Sequence, residues 1–381
     1  MTNTIIVIMW RIPSIIGLVA IFCQSIGEAA TQTGRLRVAK SVTLDNGQII
    51  DWVYKDSQGL VASPPPFLPG GSGPMRSVFN ETTIGPKGTV PILRSSTKNA
   101  RVKRPPLTST SVGPRITGRQ YSGQHWYVST AETTDNLGGS AFLSMFKAFV
   151  AENDDFSLLQ TAVIRGIPNF GIQTVEAGWI NYPDQKQSPH LFTFFNTNNY
   201  RTIGDYLAGW NTEVKGWVQV DRQYFPGIEL APLSVVGGDQ HELHVRYLLH
   251  NASWWLGVNG RWAGYYPANL FTTNGNSAEA TLETKSDRIN WYGEIFQAES
   301  AETTTDMGSG HYAADGYGRA AYMHNITYTD MGGNDQNYDG SQGTQVDDPQ
   351  RYSIDAHFLD NGSWGSYFFL GGPGAGGQIG S

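Results

Sequence analysis

The sequence predicts an all-β protein, with antiparallel sheets packed face to face as a sandwich. Three observations predict it. The 381 residues include 45 Gly and 19 Pro, with 12% aromatic and only 15% charged residues, a profile that suits many strands and turns better than helices. Runs such as "QHWYVSTAE", "LLQTAVIRG", "GIQTVEAGWINY", "HLFTFFNT", "GWVQVDRQYF", "HELHVRYLLH", "INWYGEIF" and "GSWGSYFFLGG" are rich in β-branched and aromatic residues, and several alternate polar with apolar. Asn259-Gly260, set between "WWLGV" and "RWAGYY", is a two-residue hairpin signal.

Residues 1–29 read as an export signal. Arg11 precedes the apolar run Ile12 to Ile26, and Gly27-Glu28-Ala29 offers small residues for cleavage. The ten residues before Arg11 are too apolar for an ordinary n-region, with Met9 as an alternative start; an uncleaved anchor is the other reading. The run is shorter than the ~20 residues of a spanning helix, and no other segment approaches that length. Cys23, the one cysteine, lies inside this leader. The processed chain is thus expected to lack thiols, which excludes disulfides, cysteine nucleophiles and cysteine-bound metals. Glycosylation-type sequons stand at Asn80, Asn251, Asn325 and Asn361.

Charge divides the remainder. From Ala30 to Arg119 there are 13 Lys+Arg against 4 Asp+Glu; from Gln120 to Ser381 there are 12 against 28. The expected organisation is a small basic unit over 30–95, a basic, Pro-containing linker over 96–119 and a large acidic unit over 120–381. Opposite charge favours docking of the first on the last, loosened in acid as carboxylates protonate; a solubility role for the imbalance is the alternative. An acidic major unit argues against nucleic acid as partner. Within it, Ser140 to Val150 is the one stretch that reads as a short helix.

Two glutamates sit in the middle of strand-like runs, where Glu is depleted and rarely buried alone. In "GIQTVEAGWINY", Glu176 shares a face with Thr174 and Gly178, and Gly178 leaves room above the sheet. In "INWYGEIF", Glu294 shares a face with Asn290 and Tyr292. Val175 and Trp179, Trp291 and Ile295 point the other way. The pattern fits two carboxyls rising from the concave face of a sheet. Two carboxyls a few ångströms apart do not both ionise freely, so the pair keeps a proton in acid and can supply both a base and a donor. Taken alone, a mid-strand Glu is more often a solvated or arginine-paired side chain than a catalytic one.

Ordered blocks along the chain, from "TLDNGQIIDWV" and "GPKGTVPILR" through "VEAGWINYP", "WYGEIF" and "MGSGHYAADGYGRAAYMHNI" to "SWGSYFFLGGPG", together resemble the neprosin family of secreted glutamic peptidases. "TLDNGQIIDWV" resembles its activation-peptide motif S-x-D-G-x-I-I-D-C, and "GPKGTVPILR" its C-P-x-G-T-V-P-I-R-R segment. "VEAGWINYP" resembles E-A-G-W-Q-V, and "WYGEIF" resembles W-G-G-E. "MGSGHYAADGYGRAAYMHNI" follows M-G-S-G-H-F…G-F-G-K-A-S-Y, and "SWGSYFFLGGPG" follows the C-terminal signature.

The resemblance implies a zymogen whose N-terminal prodomain inhibits a concanavalin/eqolisin-like β-sandwich that cuts next to proline. It places the catalytic pair on Glu176 and Glu294. By analogy with the eqolisins, Glu294 is the water-activating base and Glu176 the protonated partner. It implies no cofactor and no metal. The departures are the missing cysteines, with Trp52, Gly85 and Arg351 near positions where Cys is usual, and Tyr292 where W-G-G-E has Gly. Trp179, Tyr292 and Tyr127, with Gly178, are the expected substrate-binding residues. Activation is expected within Pro105 to Pro114.

Other motifs carry less. His241 and His244 in "HELHVRYLLH" point to opposite faces of a strand and lack zinc-site spacing. "DQNYDGSQGTQV" opens like a calcium loop but ends on Val346 where a bidentate Glu belongs. A sandwich glycoside hydrolase, or a secreted carbohydrate-binding module using the aromatic face, remains the rival reading.

Overall fold

The computed structural model describes residues 35–66, 78–94, 121–272 and 275–380. The leader, Cys23 and the expected linker with its activation segment lie outside the described residues. Among those described, regular structure is strand, apart from single-turn 3-10 segments. Three N-terminal strands, β1 (Val38–Thr43), β2 (Ile49–Tyr54) and β3 (Thr89–Leu93), form one small antiparallel sheet in that order.

The rest builds two large sheets. Their strands are β4 (Gln124–Glu132), β5 (Gly138–Ser144), β6 (Phe156–Ile167), β7 (Gly171–Tyr182), β8 (Lys186–Asn196), β9 (Ala208–Trp210) and β10 (Val218–Gln219). Next come β11 (Glu242–His250), β12 (Ser253–Val258), β13 (Arg261–Pro267) and β14 (Arg288–Gln297). The chain finishes with β15 (Ala321–Thr329), β16 (Asp335–Asn337), β17 (Thr344–Val346), β18 (Ser353–His357) and β19 (Tyr367–Gly371). One sheet has seven strands in the order β17-β4-β14-β6-β7-β8-β9. The other has nine, β10-β13-β12-β11-β5-β15-β19-β18, with β16 paired to β15.

Alternation dictates how the sheets pack. Val175, Ala177 and Trp179 of β7, Leu159 and Val163 of β6, and Ile289, Trp291 and Ile295 of β14 point one way. They join Ala141, Leu143, Val245, Tyr247 and Leu256 of the second sheet in one buried cluster. Trp179 belongs to this inter-sheet core: it is fully buried and its indole N–H donates to the Ser144 carbonyl at 2.7 Å. That corrects the expectation that it lines a substrate subsite. The residue next to Glu176 in space must come from the opposite face, and an odd-numbered β7 residue cannot.

The expected helix at 140–150 is strand over 140–144 and has no regular structure over 145–150. β5 lies inside the nine-stranded sheet between β11 and β15. Ala141 and Leu143 face the core and are wholly buried. A side chain at Gly138 would meet the Tyr247 carbonyl oxygen at 2.1 Å, so close strand approach fixes that end. Sheet pairing on both edges overrides a weak local helix preference. The hairpin at Asn259-Gly260 joins β12 to β13 as expected, both residues at positive φ (45° and 77°). Asp335, first residue of the calcium-like stretch, pairs with Arg246 at 2.6 Å.

The N-terminal sheet docks through apolar packing, hydrogen bonds and a guanidinium over an indole ring. Ile50 and Trp52 join the main core cluster. The Trp52 ring packs tilted against Phe79 (4.7 Å, 56°), Phe79 stacks on Phe225 (5.7 Å), and the Arg222 guanidinium lies over the Trp52 ring at 5.1 Å. Gln58 exchanges two hydrogen bonds with the Gln219 backbone (2.8 and 2.9 Å), and the Asn46 amide donates to Glu229 at 2.6 Å. Among the described residues, the ion pairs of this sheet are internal: Arg37–Asp56 and Arg94–Asp51.

Two positions that the family resemblance associates with cysteine are neighbours here. A Cβ on Gly85 would lie 2.1 Å from the Trp52 ring, so the indole occupies the space of any side chain at 85. Gly85→Ala is therefore expected to displace Trp52 and loosen the N-terminal sheet. Limited proteolysis should then cut within residues 35–94 well before the large sheets melt; an unchanged digestion pattern would contradict this.

One buried acid sets a pH dependence. Asp306 is 2% exposed; its Oδ2 accepts the Gly380 N–H at 3.0 Å, and its Oδ1 has no partner among the described residues. Burial pushes the carboxyl up to about 7 from an ordinary 3.8. The unfolded chain loses this proton near 3.8 and the folded chain near 7, so stability falls as pH rises through that window and is intact below it. Asp306→Asn should stabilise the fold at pH 8, by up to about 4 kcal/mol, with a higher melting temperature there and little change at pH 3. His190 and His244 act oppositely. Burial lowers each to about 4 from 6.5, so their contribution is lost as pH falls through that range.

Candidate active site

The second face of the seven-stranded sheet carries the polar cluster. Directly opposed residues of antiparallel strands share a face. Glu176 of β7 lies opposite Ala162 of β6, which lies opposite Asn290 of β14. The next row is Gly178, Gln160, Tyr292 and Ser129. The row after it is Ile180, Leu158, Glu294 and Tyr127. Glu176 and Glu294 thus share a face, with β6 between their strands and the Gln160–Tyr292 row between their own. Four residues of β6 separate their rows, roughly 13 Å along the strand direction before the side chains lean together. The sequence expectation of two adjacent carboxyls becomes two carboxyls flanking an amide and a phenol.

Glu176 is fully buried and held from several sides. Its Oε1 accepts from the Tyr200 hydroxyl at 2.5 Å and from Thr174 Oγ1 at 2.7 Å. Its Oε2 accepts from Gln160 Nε2 at 3.2 Å and from the Tyr292 hydroxyl at 3.4 Å. The Tyr200 and Thr174 hydroxyls also touch each other at 2.9 Å, and each can donate or accept. The cluster can therefore serve Glu176 as carboxylate or as acid. On the core side, Thr193 and Tyr247 hydroxyls donate to the Glu176 backbone carbonyl at 3.1 and 3.2 Å, fixing the strand at that residue.

Glu294 is also fully buried, and His125 Nδ1 lies 2.7 Å from its Oε1. His125 comes from β4, opposite Phe296, and its ring packs on Phe296 at 4.9 Å. The Tyr292 phenol is held well above its ordinary value by burial first, then by the carboxyls of Glu176 and Glu294. One phenol is thus within electrostatic reach of both glutamates, and it stays protonated as a donor. Burial, followed by the Glu176 carboxyl, does the same to Tyr200.

The structure brings Glu176, Glu294, Tyr292 and Tyr127 to this face; Tyr127 and Tyr292 meet edge to face at 5.9 Å. Gly178 has a structural cause. A Cβ there would stand 1.9 Å from the Leu159 carbonyl oxygen, so glycine is needed for β6 to approach β7. His125, Gln160 and Tyr200 were missed from sequence. Gln160 and His125 alternate with core residues like any polar strand residue, and only the pairing register puts them beside a glutamate. Tyr200 arrives from the turn after β8, where Asn199 and Tyr200 take positive φ (58° and 57°) and Asn196 Oδ1 accepts the Tyr200 N–H at 2.7 Å.

Two buried carboxyls on the polar face of an antiparallel sheet, ringed by neutral donors, form a site suited to acid–base hydrolysis. A family model described as Neprosin matches residues 153–373, which spans β7, β14 and both glutamates. The chain belongs to the neprosin family, and membership supports a peptidase of the glutamic type. Among solved structures, the chain is similar to SCP-B, described as a member of the eqolisin family of peptidases in complex with the tripeptide Ala-Ile-His. That likeness has 10% identity and a TM-score of 0.31, covering 66% of this chain and 98% of that one. It is also similar to scytalido-glutamic peptidase with a peptide-based transition-state analogue, at 9% identity and TM-score 0.32, over 66% of this chain and 98% of that one. These two likenesses transfer no residue or role.

Proposed function

We propose that the chain is a secreted, acid-acting glutamic endopeptidase, made as a zymogen, that hydrolyses peptide bonds using water activated at Glu294 with Glu176 as the oxyanion partner. The single observation that carries the reading is Tyr292, whose phenol lies within reach of both buried glutamates on one sheet face. Glu294 removes a proton as the water oxygen bonds to the scissile carbonyl carbon. Glu176, carrying the site's proton among the Tyr200 and Thr174 hydroxyls, hydrogen-bonds to the oxygen that gains charge. Collapse of the tetrahedral intermediate breaks the C–N bond, and the proton taken by Glu294 goes to the leaving nitrogen.

The Tyr127 and Tyr292 rings, which meet edge to face beside Glu294, are the apolar groups against which the proposal sets a proline ring next to the cut bond. The docked N-terminal sheet, residues 35–94, is the inhibitory unit of the proposal, and cleavage after it releases the enzyme. Digestion of a defined peptide library at pH 3–4, read by mass spectrometry, tests the reading. Cuts clustered beside proline, with N-terminal sequencing showing loss of the segment before 120, are expected. Cleavage of polysaccharides but not peptides would replace it with the glycosidase reading, and binding of glycans without any cleavage with the binding-module reading.

A further inference from the structure

We propose that Gln160 is a third catalytic side chain of this site, whose amide oxygen orients the attacking water while its amide nitrogen faces Glu176. The inference rests on the proposed peptidase reading and deepens it.

Gln160 stands in the one row that separates the two glutamate rows, opposite Gly178 on one side and Tyr292 on the other. It is fully buried. Its Nε2 donates to Glu176 Oε2 at 3.2 Å. With the proposed proton on the Oε1 side, among the Tyr200 and Thr174 hydroxyls, Glu176 Oε2 stays an acceptor and takes the NH2 end of the amide, which turns the carbonyl end away from Glu176. That Oε1 is buried and has no hydrogen-bond partner among the described residues. Buried polar atoms are rarely left unpaired, and those that are need an explanation.

The neighbours of Gln160 narrow what can fill the gap. Gly178 presents no side chain, the Tyr292 hydroxyl is engaged with Glu176, and Leu158 in the next row is apolar. The free acceptor thus calls for a donor that arrives with the substrate. A water poised between Glu294 and a peptide carbonyl has two hydrogens. Glu294 takes one; the other needs an acceptor so that a lone pair points at the carbonyl carbon. An amide oxygen supplies that without competing for the proton, because it is not basic enough to remove it. The amide then reads both halves of the site at once, donor toward Glu176 and acceptor toward the water. Steric demand fits as well: the close approach of β6 to β7 at Gly178 holds the Gln160 backbone in place.

The test compares Gln160→Met, Gln160→Glu and Glu294→Gln in the acid-treated full chain, on one peptide substrate. Gln160→Met keeps the volume and removes both polar ends. Its kcat should fall by about 10²-fold, the loss expected when a reacting group is misplaced by about an ångström. KM should stay within about threefold of wild type, and the melting temperature should change little, because removal of the unpaired buried acceptor offsets loss of the Nε2 donor to Glu176. A side chain that merely braced the sheet would behave oppositely, losing melting temperature along with rate.

Gln160→Glu, nearly isosteric, guards against misfolding of the first variant. While protonated, its carboxyl can donate to Glu176 and accept from water as the amide does; once ionised it cannot donate. That variant should work in strong acid and lose rate at a lower pH than wild type. A kcat within threefold of wild type for Gln160→Met overturns the proposal, as does a wild-type pH profile for Gln160→Glu. If Glu294→Gln stays fully active, the peptidase site is wrong and this inference falls with it. If Glu294→Gln is inactive while Gln160→Met is not, only the role of Gln160 fails.

Discussion

Glu294→Gln is expected to lower kcat by about 10²–10⁴-fold, the usual contribution of a positioned general base. That range corresponds to about 3–5 kcal/mol of barrier. The substitution keeps shape, and the new amide oxygen can still accept from His125, which sits 2.7 Å from the present carboxyl. Melting temperature should therefore change little. What is lost is the ability to take a proton from water. Glu176→Gln should behave differently. An amide in place of a protonated acid can still donate to a developing oxyanion, and Tyr200 and Thr174 remain beside it, so measurable activity should persist. Initial rates across pH 2.5–6 on a chromogenic peptide, with a thermal melt of each variant, decide the matter. Abolition by Glu176→Gln with survival of Glu294→Gln would reverse the two roles.

Trp179→Ala carries the largest expected effect on stability. Trp179 is fully buried between the sheets and spends its one polar atom on the Ser144 carbonyl. Removal of a large aromatic from a packed core costs about 3–5 kcal/mol, because the cavity closes only in part. An orphaned Ser144 carbonyl adds to it, by about 1–3 kcal/mol if water cannot reach it. Against a total stability of about 5–15 kcal/mol, the variant should unfold at far lower urea concentration. The effect should also reach the site. Trp179 fixes the core side of β7, three residues from Glu176 on the strand whose other face presents that carboxyl. Urea midpoints measured by far-UV circular dichroism would show it; a loss below about 1 kcal/mol would mean that the indole is not what locks the sheets together.

The pH behaviour expected from Asp306 and from the two buried histidines is independent of these mutations. Asp306 lies in the segment between β14 and β15 and His244 on β11 of the nine-stranded sheet, whereas His190 lies on β8 opposite Ile180, in the row that contains Glu294. Raised burial of an acid favours low pH, while neutral buried imidazoles oppose it, so the Asp306→Asn comparison at pH 8 and pH 3 isolates the first term.

The sequence by itself determined the five long strands of the seven-stranded sheet, their facing and the two acids at their centre. Period-two alternation separates Glu176, Thr174 and Gly178 from Val175 and Trp179, and the observed strand Gly171–Tyr182 keeps that division throughout. The Asn259-Gly260 turn was legible because two positive φ values in succession demand such residues. Family-like blocks pointed to both glutamates before any geometry was available.

Tertiary structure alone decided what surrounds them. Local pattern cannot tell that β6 inserts between β7 and β14, and so cannot place Gln160 between the carboxyl rows or Tyr292 within reach of both. It cannot turn 140–144 into a central strand, because the hydrogen bonds that do so come from residues about 100 and 180 positions away. Nor can it bring His125 to Glu294 across 169 positions. Alternation is a property of one strand and is written in consecutive residues. Register is a property of two, set by which apolar faces must be buried together, and it exists only once the sheets have closed on their core.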